Sequence, residues 1–130
     1  KIESGTGASA AEITGTDTSG NVDQFQLDGT DLNGDAVTTF NKAVKITNTG
    51  NENVGLYVDD SPTNIGDGEE LDIQEATSDS SIVGSGGAVD LMSDGTPVEL
   101  DVVVDLTGSN AASNIPTDIT LIADQSEYTA

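Results

Sequence analysis

The residues of this chain that could do chemistry are carboxylates. In Asp28-Gly-Thr-Asp-Leu-Asn-Gly-Asp35, three of the four candidate ligands Asp28, Asp31, Asn33 and Asp35 read D-x-N-x-D. That is the opening of an EF-hand or dockerin-type calcium loop, because a hard cation needs oxygens that converge from one turn. The match then fails: the sixth position is Ala36 instead of Gly, and the twelfth is Lys42, a cation where a bidentate acid belongs. Asn33-Gly34 is also an ordinary hairpin turn. A plain turn is expected here, with weak calcium binding as the alternative and no other cofactor. A second acidic stretch, Asp59, Asp60, Asp67, Glu69 and Glu70 around Pro62, reads as a solvated loop.

Nucleophilic chemistry has little to work with. The chain holds no His and no Cys, which removes Ser-His and Cys-His arrangements, ordinary zinc sites and any disulfide framework. Carboxylate pairs of the glycosidase kind would need a separation of about 5 to 9 Å in a cleft, and 24 acids in 130 residues produce close pairs by chance. The expectation is a protein that is not an enzyme.

Three Lys, no Arg and 24 acids give a net charge of −21, spread along the whole chain. Phosphate backbones require clustered cations, so nucleic acid is excluded as a natural partner, and anionic membrane surfaces are disfavoured. Such a charge strains a compact state by self-repulsion, which molar salt screens once the Debye length falls to about 3 Å. The acid load therefore reads as adaptation to a hypersaline setting, the alternative being an acidic surface protein of ordinary salinity. No apolar run exceeds three residues, as at 102–104, so no segment spans a bilayer. The chain starts at Lys1, which fits a secreted protein whose signal segment has been removed, although a trimmed chain would look the same.

Strict alternation is the dominant pattern, and it supplies the elements that must position these groups. In Val98-Glu-Leu-Asp-Val-Val-Val-Asp-Leu106 the residues Val98, Leu100, Val102, Val104 and Leu106 share one face, with Glu99, Asp101 and Asp105 on a wet face. The stretch 42–48 repeats the pattern with Val44 and Ile46 inward, and 54–58 with Val54, Leu56 and Val58 inward. Between them Asn48-Thr-Gly-Asn-Glu-Asn53 reads as the turn of a hairpin. Further strands are expected at 22–27, 71–73, 88–92 and 118–123, the last with Ile119 and Leu121 inward. Residues 78–88 could hide a short helical turn, against which three Gly argue. Seven to eight short strands with turn-rich joints predict an all-β antiparallel sandwich, jelly-roll or immunoglobulin-like, of one domain.

The segments DAVTTFNKAVKITNTGNENVGLYVDD (35–60), AVDLMSDGTPVELDVVVDLTG (88–108) and DITLIAD (118–124) resemble secreted haloarchaeal proteins of uncharacterised function. More distantly they resemble the TasA and camelysin group of biofilm-matrix fibre proteins and the archaeal bundling pili related to it. The resemblance covers about 90 residues, a strand ending in an Asn-Thr-Gly turn followed by further alternating strands, and it is weak over 1–34. It implies a subunit of an extracellular filament for adhesion or biofilm scaffolding, a homopolymer that contacts itself head to tail and touches other cells or surfaces. Fibre-forming members of this group assemble by donor-strand complementation.

A segment such as KIESGTGASAAEIT has too little apolar surface to order itself alone, yet its small residues suit an open groove between strands. Residues 1–14 are thus expected to act as a donor arm and 15–130 as the sandwich that accepts it. The even phase presents Ile2, Thr6, Ala8 and Ala10, the odd phase Ala11 and Ile13, and the sequence does not choose between them. Two alternatives stay open: the segment is the first strand of its own sandwich, or the C-terminal strand with Tyr128 is the donor. The competing function is a discrete cell-surface or viral receptor-binding module.

Overall fold

A computed structural model describes the backbone of residues 2–4, 11–16, 22–27, 34–116 and 118–129, and the side chains of Ile2 and of residues 34–116 and 118–129. Its strands are β1 (Ile2–Ser4), β2 (Ala11–Thr16), β3 (Val22–Leu27), β4 (Val37–Ile46), β5 (Val54–Val58), β6 (Leu71–Glu75), β7 (Ser80–Ser81), β8 (Val89–Leu91), β9 (Val98–Asp105) and β10 (Leu121–Asp124). Eight of them build two antiparallel sheets, ordered β1-β4-β9-β6-β7 and β10-β5-β8, while β2 and β3 pair as a separate hairpin. The chain is all-β, as its alternation predicts, and the two sheets enclose one core.

The central strand β9 follows from its sequence. Every second residue is a Val or Leu whose branched or bulky side chain fits a pleated half-buried surface. Leu100, Val102 and Val104 are fully buried. Register places Ile46 and Val44 of β4 opposite Val98 and Leu100, and Leu71 and Ile73 of β6 opposite Val104 and Val102, so one continuous apolar layer forms. Leu56 and Val58 of β5 and Leu91 of β8 supply the facing layer, and Ile65, Ile82 and Leu106 close its margins. Each such side chain contributes about 2 kcal/mol of apolar transfer free energy. Ile119 and Leu121 pack on this core while staying partly exposed.

The hairpin expected between β4 and β5 does not form. These strands lie in different sheets, and residues 47–53 arch across the core between them. Both strands bury one apolar face, and that pattern is satisfied equally by two neighbours in a sheet or by two strands facing each other across about 10 Å of core. The Asn residues hold the arch. Asn48 accepts from the Gly50 N–H and donates to the carbonyls of Glu52 and Leu91, while Asn53 accepts from the Ser93 N–H. At the other edge residues 82–84 stitch the sheets together, with Ile82 N–H donating to Ile73 O and Val58 N–H donating to Ile82 O.

Among the described residues helix is confined to 3-10 turns, including Ser85–Gly87 within the stretch 78–88, and Gln125–Glu127 near the C-terminal end. The latter lies so close on β5 that a Cβ at Gly55 would overlap the Glu127 carbonyl. The end of the chain is clasped beyond it: Tyr128 donates its hydroxyl to Met92 Sδ at 3.3 Å, and Thr129 donates its N–H to Asp90 at 3.0 Å.

Candidate functional site: the N-terminal edge of the five-stranded sheet

One of the two edge strands of the larger sheet is β1, at the head of the chain; the other is β7. It runs antiparallel to β4 with Ile2 opposite Ile46, Glu3 opposite Lys45 and Ser4 opposite Val44. Ile2 is half-buried and packs on the core. Three register pairs are a slender attachment: a few main-chain hydrogen bonds at about 1 kcal/mol net each, plus part of one Ile side chain. β4 itself is ten residues long, and among the described strands only Val44–Ile46 has a neighbour on the β1 side. Val37, at the far end of β4, is the one large hydrophobic among the described residues that is mostly exposed, at 54%.

The predicted donor residues fall in different places. Ile2 lies in β1, beside its own β4. Ala11 and Ile13 lie in β2, where Ala11 faces Leu27 and Ile13 faces Phe25 of β3. Thr6, Ala8 and Ala10 lie outside the described residues. The head of the chain is therefore placed as two short strands separated by residues 5–10, with β1 on the five-stranded sheet and β2 in the hairpin. Of the acceptor side, Val44 and Ile46 form the docking edge.

A feature that alternation alone misplaces sits behind this edge. Asp101 occupies the face of β9 expected to be wet, yet it is only 4% exposed, and Asp72 on the same face of β6 and Glu70 at its start are 2% and 3% exposed. Each has found donors. Asp101 accepts the backbone N–H of Lys42 at 2.7 Å; Asp72 accepts from Ser81 Oγ at 2.6 Å and Gln74 Nε2 at 3.0 Å; Glu70 accepts the Ala111 N–H. A buried carboxylate is tolerated only with such partners. The expectation of a wet face at Asp101 and of a solvated loop at Glu70 is thus corrected.

The metal candidates are only partly visible. Asp28, Asp31 and Asn33 lie outside the described residues, and Asp35 sits in the turn before β4 with φ 57°. In the second acidic stretch Asp59 is occupied by the Ser61 N–H and hydroxyl. Among the described residues no three acidic side chains converge as a cation would require.

Many of the remaining acids close turns. Asp94, Asp105 and Asp124 each accept the N–H of the residue two ahead, and Asp105 and Asp124 also accept that residue's hydroxyl. These bonds favour the ionised form. The Thr96 N–H lowers the Asp94 carboxyl, and the hydroxyls of Thr107 and Ser126 do the same for Asp105 and Asp124. A carboxyl lowered in the folded state adds stability above its ordinary value and loses it as pH falls through the lowered one. In molar salt, which screens the opposing relief of charge repulsion, the thermal midpoint should hold down to about the ordinary carboxyl value and drop below it. The triple variant Asp94→Asn/Asp105→Asn/Asp124→Asn should drop less steeply; parallel curves would show that these turns do not contribute.

Among the described residues no helix is long and apolar enough to cross a membrane. Compared with known protein families, curated proteins and solved structures, the chain matches none.

Proposed function

We propose that this chain is a structural subunit of an extracellular filament in a hypersaline environment, polymerising when the head strand of one copy completes the five-stranded sheet of the next. The observation that carries this reading is the attachment of β1: an edge strand of three residues, held at Ile46, Lys45 and Val44 and joined to the body through a long connection. A second copy can supply the same three pairs in the same register at no change in contacts, which is the condition for exchange of an element between protomers. Main-chain pairing at an open edge then provides the attraction and the seat of Ile2 the selectivity. The charge of −21 suits assembly in brine, where repulsion between subunits is screened. The resemblance to TasA-like fibre proteins and bundling pili, carried by the pattern of strands and turns in residues 35–124 alone, points the same way. Adhesion or biofilm scaffolding is the role such a fibre serves; the protein is not a catalyst in this reading.

A second reading, a discrete receptor-binding module at the cell surface, is favoured by one observation: Ile2–Ser4 lies on its own sheet. Sedimentation and negative-stain imaging in molar salt separate the two. Filaments from the full chain that vanish on deletion of residues 1–14 support polymerisation through the head. Normal filaments from the deleted chain end that mechanism, and a monomer or closed oligomer from the full chain supports the discrete module.

A further inference from the structure

The edge that receives β1 is interrupted by a bulge, and the bulge is tied to a buried acid. Along β4 the ladder to β9 is regular from Val37 to Phe40 and again from Val44 to Ile46. Phe40 faces Val102 and Val44 faces Leu100, so Asn41, Lys42 and Ala43 together stand opposite the single residue Asp101. Lys42 has φ 49°, the left-handed region that a residue with a Cβ seldom enters. Its N–H, turned out of the ladder by that geometry, is captured by Asp101 Oδ1 at 2.7 Å across 59 residues of sequence. Ala43 is completely buried beside it.

This arrangement has a consequence for the strand that docks outside it. The described pairing of β1 stops at Ser4 opposite Val44, the last β4 residue before the bulge. A slip of β1 by one residue would turn Ile2 away from the core. A slip by two preserves the faces and would set Ile2 opposite Val44 and Ser4 opposite Lys42, which requires β4 to run straight through the bulge. Bulges bend a strand and end regular pairing at a sheet edge. We infer that Asp101 is the positioning residue that fixes the register of the docking edge: by holding the Lys42 bulge it stops an incoming strand at Val44 and forces Ile2 into its seat at Ile46. The inference rests on the exchange reading only for which copy supplies β1; the lock acts on a strand from either source.

The native Cys-free background allows two reporters. Glu3→Cys with Lys45→Cys closes in the native register, and Ser4→Cys with Lys42→Cys closes in the register slipped by two. In the Asp101→Ala background closure of the first pair should fall about tenfold, the shift that loss of one hydrogen bond to a charged group corresponds to, and the second pair should gain. Asp101→Asn retains an acceptor and should keep the native pair. Should Asp101→Ala fail to fold, Asp101→Val, which likewise has no acceptor, is read by the same criteria. Unchanged closure of the native pair in the alanine or valine background overturns the inference. Register is read from which pair closes, whereas exchange is read from whether the product is monomeric or polymeric, so either idea can fail alone.

Discussion

Oxidation of the double variant Glu3→Cys/Lys45→Cys in molar salt yields a ladder of covalent oligomers on a non-reducing gel. Directly opposed residues in an antiparallel pair have Cβ atoms about 4.5 to 5.5 Å apart. A disulfide spans about 3.5 to 4.5 Å, so a small adjustment of an edge strand, or a short thiol-reactive spacer, closes the gap. With no native Cys, every link reports this one contact. If β1 is exchanged, each link joins two chains, each chain carries one link at either end, and the product is open-ended. If β1 stays at home, the same chemistry gives a single internally closed monomer. The competition has a definite physical form. A tethered strand acts on its own edge at an effective concentration of order millimolar, so exchange prevails only where subunits are crowded or the connection strains the home-docked form. The ladder should therefore lengthen with protein concentration. A monomer band alone at every concentration removes the exchange mechanism and leaves the discrete module.

Salt is the second large lever. In water two like charges about 10 Å apart repel by about 0.4 kcal/mol. With one such neighbour for each uncompensated charge, about ten pairs, the repulsion within the folded chain is on the order of 4 kcal/mol, a large part of the whole stability of a typical domain. Unfolding moves the charges apart and releases part of it. Raising sodium chloride from about 0.05 M to about 2 M shrinks the Debye length below the spacing of these charges, and the thermal midpoint should rise by about 10 °C or more. Potassium chloride should do the same, since screening depends on ionic strength. A midpoint that is flat or falling with salt would remove the hypersaline reading.

The core was legible in the alternation of β9 and of the second half of β4. Val44, Ile46, Leu56, Val58, Leu100, Val102 and Val104 all lie where period-two patterning places them, because burial of one face of a strand is written residue by residue. The partner of each strand was not. Asn48 to Asn53 has the composition of a turn in either arrangement, and only the formation of a second sheet decides that the chain arches there. The metal motif rests on local spacing, and spacing says nothing of where Asp35 points once its turn is fixed by the start of β4.

The sequence by itself determined that this chain is all-β and heavily anionic, since period, turn composition and charge are local or summed properties. The tertiary structure decided the neighbours of each strand and the fate of individual acids. Glu99 and Asp101 share one face of one strand, yet Asp101 is buried because a bulge in β4 presents it with an unpaired N–H. No local pattern encodes that meeting, which depends on two strands far apart in the chain lying side by side.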